Sequence, residues 1–296
     1  MGYQIALTNR LGNRSSNQDR CTAVRRDDTV LLVVADGMGG HARGELAAQT
    51  VIESMTHTME RVPMPVAEPS RFLKRAIERA HSDIIAAGER QRPPVHPRTT
   101  VVACLVHEMK AYWAHVGDSR LYLIREGKVL VRTRDHTYVE DLFQKRAISE
   151  SDMLTHPLRN TVVHCLGGAP KLPPVTVGEP TALHLGDLLV LCSDGFWGAL
   201  TERGLVEMLH AEDLEASTDS AAEAAERASY PNADNVSIAA LCVQPDLEVD
   251  PGEPEDQRED PSSQPIDDPR CGDPLDDAIA RIHDALREYN DELDGN

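Results

Sequence analysis

The sequence contains no paired cysteine motif: Cys21, Cys104, Cys165, Cys192, Cys242 and Cys271 are scattered, without a CxxC. Four of them fall in apolar, strand-like runs, which argues against a zinc site or a disulfide frame and predicts buried, reduced thiols. No apolar stretch approaches the roughly 20 residues needed to span a bilayer, and the opening MGYQIALTNR lacks the basic and apolar regions of a secretory signal. A myristoylation pattern is missing too. These absences set the expectation of a cytoplasmic protein without a membrane partner. There is no basic excess. The formal charge is -19, and 18 acidic against 4 basic residues lie from Pro245 onward, which leaves -5 for positions 1–244. Such a balance argues against nucleic acid as a partner, because binding it needs a basic face. Gly-Lys-Ser/Thr and GxGxxG loops are likewise missing, as is any internal repeat.

What is present is enough material for a large core, with 296 residues of which 41% are hydrophobic. Tyr3, Ile5 and Leu7 alternate as a half-buried strand, and strands follow near Cys21–Arg25 and Thr29–Asp36. A helix from about Arg43 to Met59 carries Leu46, Ala47, Val51, Ile52 and Met55 at helical spacing, and Ser70 can cap a second helix. Four short strands between Thr99 and Val131 read as an antiparallel meander, and strands return at about Val175–Leu183 and Asp187–Cys192. Helices from Thr201 to His210 and Ser217 to Ala228 precede a closing strand, Val236–Val243. This order predicts an α+β fold, a four-layer α-β-β-α sandwich of two antiparallel β-sheets flanked by helices.

Two apolar strands end in Asp-Gly: VVADGMGGH at Asp36 and LVLCSDG at Asp194. Asp118 in HVGDSR and Asp234 in ADNVSI stand in the same context, at the edge of an apolar strand beside Gly or Asn. One such carboxylate is ordinarily a turn residue. Four together repel one another unless a cation compensates them, which points to a polynuclear centre for a hard, oxygen-loving ion such as Mn²⁺ or Mg²⁺. Glycines at 37 and 39 permit close backbone approach, so that the Gly37 carbonyl can itself be a ligand. His41, His115, His136 and His156 are assigned no chemistry, since oxygen-rich sites need none.

The motifs RSSNQD, ADGMGGH, TT, VGDSR, RDHT, HPLRN followed by LGG, SDGFWG and DNVS occur in this order over about residues 3–243. Together they resemble the metal-dependent type 2C protein serine/threonine phosphatases, particularly the soluble bacterial ones. The resemblance implies that Asp36 bridges two Mn²⁺ or Mg²⁺ ions, with Asp194 and Asp234 on the first and the Gly37 carbonyl on the second. Asp19 would reach the site directly or through water, and Asp118 with Asp194 matches the position of a weaker third ion. Arg14 matches the arginine that grips the substrate phosphate, a role suited to a planar guanidinium. The implied reaction is hydrolysis of phosphoserine and phosphothreonine by a metal-activated water, reversing a Ser/Thr kinase, with no protein nucleophile. Many eukaryotic relatives have Glu where Gln18 stands, and a histidine proposed as general acid where Met38 stands. Residues 138–160 match the family's variable flap and become the candidate for substrate selection. The alternatives are a phosphoprotein-binding pseudophosphatase on the same fold, and a phosphatase for an anti-sigma-antagonist-type regulator.

The expected domain organisation is a catalytic domain over 1–244, an acidic linker with seven prolines over 245–274, and an amphipathic helix over 275–296. Leu275, Ile279, Ile282, Leu286, Tyr289 and Leu293 form an uninterrupted a/d seam, with Asp273 as cap and Pro274 in the first turn. A stripe of that kind seeks a surface: its own catalytic domain, a partner protein or a second copy.

Overall fold

The computed structural model describes residues 2–39, 42–210 and 212–245; the linker beyond Pro245, the 275–296 helix and His41 lie outside the described residues. In chain order the elements are β1 (Gly2–Arg10), β2 (Asp19–Arg26), β3 (Thr29–Met38), α1 (Ala42–Arg61), α2 (Pro69–Arg90), β4 (Arg98–Thr99), β5 (Val101–His107), β6 (Lys110–Val116), β7 (Arg120–Arg125) and β8 (Lys128–Arg132). They continue as α3 (Tyr138–Gln144), α4 (Glu150–Thr155), β9 (Leu166–Gly167), β10 (Thr176–Val177), β11 (Thr181–Ala182), β12 (Leu188–Cys192), α5 (Asp194–Trp197), α6 (Glu202–Met208), α7 (Leu214–Ser229) and β13 (Val236–Gln244).

One sheet has the order β1-β13-β12-β7-β8. The other runs β10-β6-β5-β3-β4-β9, with β2 also on β3 and β11 also on β6. All pairings are antiparallel. The period-2 rule explains the layering. In β3, Leu31, Val33 and Ala35 face a core shared with Val51 and Met55 of α1 and Leu73 and Ile77 of α2. Val30, Leu32 and Val34 face the opposite way, into a core between the sheets with Leu121, Leu189 and Leu241. A third core joins Val190 and Ile238 to Leu205 of α6 and Ala221, Ala222 and Ala225 of α7. Because β3 is buried on both faces, its sequence is continuously apolar rather than alternating. These are the four layers, α-β-β-α, that the sequence predicts.

Several local readings differ. Helix α2 begins with Pro69 in its first turn and Glu68 at its cap, which makes no side-chain cap hydrogen bond. Proline there has φ already set for the helix and no N–H to leave unpaired, so Ser70 is inside the helix instead of capping it. The segment expected as one strand over Val175–Leu183 is two short ones, β10 and β11, both on β6. Pro180 has no N–H for the ladder, and a Cβ at Gly178 would collide with the Trp113 indole. Residues 138–160 carry α3 and α4, and α4 has no buried residue. The ends of this flap meet: Thr137 bridges Val162, and the Tyr138 N–H donates to the Thr161 carbonyl at 2.9 Å.

Candidate active site

Strand register brings the aspartates together. In the β2–β3 pair Asp19 stands opposite Asp36. In the β7–β12 pair Arg120 stands opposite Cys192, and two further residues in each chain carry Asp118 to Asp194 at the same sheet end. The Ser193 N–H donates to the Ser237 carbonyl at 3.1 Å, and the Ser237 N–H donates to Ser193 Oγ at 3.0 Å, so the approach to β13 that holds Asp234 lies alongside. A cleft of about 460 Å³ opens here, lined by Arg14, Asp36, Gly37, Asp118, Asp194 and Asp234, together with Met38, the flap residue Asn160 and Val162 just after the flap. Asp19 is only 1% exposed and lies outside that lining.

The backbone around Asp36 is held from both sides. Its N–H donates to Thr100 Oγ1 at 3.2 Å, while its carbonyl accepts from the Thr100 N–H and from Thr99 Oγ1, both at 2.8 Å. The Thr100 and Ser119 hydroxyls are 2.7 Å apart, which ties this grip to the turn carrying Asp118. Gly37 has no room for a Cβ, which would overlap the Gly44 carbonyl and come within 2.7 Å of the Gln18 carbonyl. The start of α1 therefore packs backbone to backbone against the metal-binding loop candidate.

Asn235 organises the opposite wall. Its Oδ1 accepts from the Gln18 N–H at 2.8 Å, and its Nδ2 donates to the carbonyls of Leu11 at 2.8 Å and Ser16 at 3.2 Å. The loop between them presents Arg14, whose guanidinium donates to Asp234 Oδ2 at 2.6 Å.

Burial dominates the electrostatics. It pushes the Asp36 and Asp118 carboxyls well above the usual carboxylate range, and for both the Asp194 charge adds to the effect. Asp194 is raised to about 6 by burial and then by Asp234. Asp19 is raised to about 7, mainly by burial, with Asp194 and Asp234 contributing, and its Oδ2 has no hydrogen-bond partner. Among the described residues no three acidic, histidine or cysteine side chains close around one point. The donor set nevertheless fits hard divalent cations: it is all oxygen, crowded, and short of positive charge. Thiol chemistry has no place in it, since burial raises the Cys104 and Cys192 thiols far from ionisation.

The sequence motifs contained residues whose work was not legible. Trp197 Nε1 donates to the Asp118 carbonyl at 2.9 Å, and the Arg120 guanidinium stacks on the Trp197 ring at 3.5 Å. Asp135 clamps Arg120 bidentately, at 2.8 and 2.7 Å, and against the opposing effect of burial keeps it firmly charged. His136 Nδ1 accepts from the Gly117 N–H at 3.2 Å and its ring stacks on His115 at 4.6 Å, so these histidines brace the Asp118 turn. His156 accepts from the Leu158 N–H at 3.1 Å after α4, a local turn contact. Acidic strand ends were detectable from composition; these supports join segments distant in sequence.

No helix among the described residues is long and apolar enough to cross a membrane. A family model described as protein phosphatase 2C matches residues 8–234. The serine/threonine protein phosphatase PstP of Mycobacterium tuberculosis is 33% identical over 78% of this chain; the chain spans less than half, 43%, of PstP's length. The serine/threonine phosphatase stp of Listeria monocytogenes is 29% identical over 75% of this chain and 87% of its own. A crystal structure of the PstP catalytic domain in complex with two manganese ions superposes with a TM-score of 0.70 at 29% identity, covering 82% of this chain and 99% of that one. With the matched segment running from within β1 to the residues just before β13 over the same two-sheet architecture, the chain belongs to the protein phosphatase 2C family.

Proposed function

We propose that the chain is a Mn²⁺- or Mg²⁺-dependent phosphatase of phosphoserine and phosphothreonine in proteins, acting against a Ser/Thr kinase in the cytoplasm. The observation that carries this reading is the convergence of Asp36, Asp118, Asp194 and Asp234, from both sheets, on one open cleft beside an arginine. Asp36 would bridge two ions, Asp194 and Asp234 would hold one of them, and the Gly37 carbonyl the other. Asp118 with Asp194 would hold a weaker third, and Asp19, opposite Asp36 in the β2–β3 pair, would reach the site directly or through water. Bound divalent cations supply Lewis acidity, acidifying a water for in-line attack and offsetting charge on the phosphoryl oxygens.

The chain's own groups do the rest. Arg14 exchanges Asp234 for the phosphate, offering its planar N–H pair to two phosphoryl oxygens. Asn235 keeps the Arg14 loop seated against the wall that bears Asp234. Met38 lines the cleft with no ionisable group, so the departing alkoxide takes its proton from water or from another group of the site. Residues 138–160 act as the substrate-selecting flap, and residues 1–244 form the catalytic domain.

Hydrolysis of p-nitrophenyl phosphate and of a phosphothreonine peptide tests this, with Mn²⁺, with chelator, and in Asp36→Asn. Activity should vanish with chelator, return with Mn²⁺, and fall by about a hundredfold or more in the variant. Full turnover in chelator sinks the reading.

A further inference from the structure

Arg98 forms half of the two-residue strand β4, which is hydrogen-bonded to β3 on one side and β9 on the other. It stands directly opposite Met38 in one pair and opposite Gly167 in the next. Directly opposed residues in antiparallel strands project to the same face, so Arg98 leaves the sheet beside Met38, which borders the cleft. Its neighbour Thr99 faces the other way and is fully buried. The aliphatic stem is pinned as well: a Cβ at Gly168 would lie 2.7 Å from Arg98 Cδ and 2.8 Å from Cγ. Glycine at that position, with φ of +72°, is what lets the stem lie across the chain.

The head group is unspent. Arg98 is exposed, and among the described residues its guanidinium makes no hydrogen bond or ion pair, in contrast to Arg10, Arg14, Arg20, Arg120 and Arg125, which are paired with carboxylates. An exposed arginine on a loop is ordinarily a solvated charge. This one is held by two strands and a glycine beside Met38, which lines the acidic cleft; Arg98 itself stands outside that lining.

We infer that Arg98 is a specificity residue that reads a negative group on the substrate flanking the phosphorylated residue. The inference rests on the phosphatase reading of the cleft. Two residues along a strand span about 6.6 Å and an opposed pair about 5 Å, which puts the Arg98 Cα roughly 8 Å from that of Asp36, so the side chain can meet a position within about three residues of the phosphorylated one in an extended peptide. A carboxylate or second phosphate at that distance lies beyond the metal-holding aspartates and needs a cation of its own at the rim. Arg98 supplies that cation, in a fork geometry suited to both anions. The favoured class is therefore an acidic or doubly phosphorylated segment, and lysine-flanked sites are disfavoured.

The test is kcat/KM, with Mn²⁺, on phosphothreonine peptides carrying Asp, phosphoserine, Ala or Lys at each of the three positions on either side. Wild type should prefer Asp or phosphoserine over Lys by about fivefold or more at one or two positions, shrinking as salt is raised. In Arg98→Ala the ratio should fall below about twofold, and in Arg98→Glu it should invert, which loss of structure does not produce. A phosphoserine ratio well above that for Asp identifies the second phosphate as the preferred anion, the reverse order identifies a carboxylate, and equal ratios show that Arg98 reads negative charge alone. Unchanged ratios in both variants overturn the inference while leaving the phosphatase reading intact. Failure of wild type to hydrolyse any peptide overturns both.

Discussion

Truncating Asn235 to alanine removes three hydrogen bonds at once, those to the Gln18 N–H and to the Leu11 and Ser16 carbonyls. Each is worth about 1 kcal/mol net when its partners are buried, a ceiling near 3 kcal/mol. Asn235 is only 5% exposed, but Leu11 is 45% exposed, so water re-satisfies part of the loss. The expected cost is about 2 kcal/mol, or a fall in Tm of about 4–8 °C for a domain of this size. Asn235→Asp should be no milder despite its matching shape. It keeps an acceptor for Gln18 but turns a carboxylate onto two carbonyl oxygens, next to Asp234. Because the released loop carries Arg14, KM for a phosphopeptide should rise about tenfold, with a smaller change in kcat. Thermal unfolding by circular dichroism and steady-state kinetics at a temperature where the variants remain folded separate the two effects. An unchanged Tm refutes the hydrogen-bond accounting. A lowered Tm with an unchanged KM refutes the link from Asn235 to Arg14.

Three further outcomes follow from the same geometry. Trp197→Phe keeps a ring beneath Arg120 but loses the N–H to the Asp118 carbonyl; the weakest Mn²⁺ site in a calorimetric titration should loosen about five- to tenfold while the tighter ones hold, and loss of the tight sites would contradict the assignment. Gly44→Ala, normally favourable inside a helix, should destabilise by about 1–3 kcal/mol, because the new Cβ would lie 2.7 Å from the Gly37 carbonyl group; a rise in Tm would show that the loop yields. With metals chelated, stability should fall as pH rises from about 4 to 7: Asp194 and Asp19 have folded values raised to about 6 and about 7 from 3.8, so the folded state holds more protons in that window, and a Tm that climbs there would reverse the sign.

The parts of the fold that were legible are those written as local periodicity. Alternation in β1, the doubly buried run of β3 and the apolar stripes of α1 and α2 fix two sheets with helices outside. Asp36 and Asp194 were visible because a carboxylate after four or more apolar residues is conspicuous in one dimension. The opposition of Asp19 to Asp36 was not, since it depends on register across the β2–β3 turn. Nor was the Asp135–Arg120–Trp197–Asp118 chain, whose members lie in three separate segments and whose individual residue types have many ordinary uses. Ser70 misled because a good cap two residues from a better helix start loses to proline, and Pro180 broke a strand that apolar content alone had joined.

The closed base of the flap has a consequence for how this family member can diversify. Thr137 and Val162 are already joined, so the chain between them is a ring whose ends stay fixed whatever its contents. The entropy of such a ring grows only logarithmically with length, about 0.6 kcal/mol for each doubling. Beyond α3, which buries Val139 and Glu140, residues can be added or removed around the exposed α4 with little loss of stability, while Thr99, Thr100 and Asn235 keep the acidic floor in place. If 138–160 is the substrate-selecting flap proposed above, selectivity can be altered by insertion and deletion there without rebuilding the acidic floor.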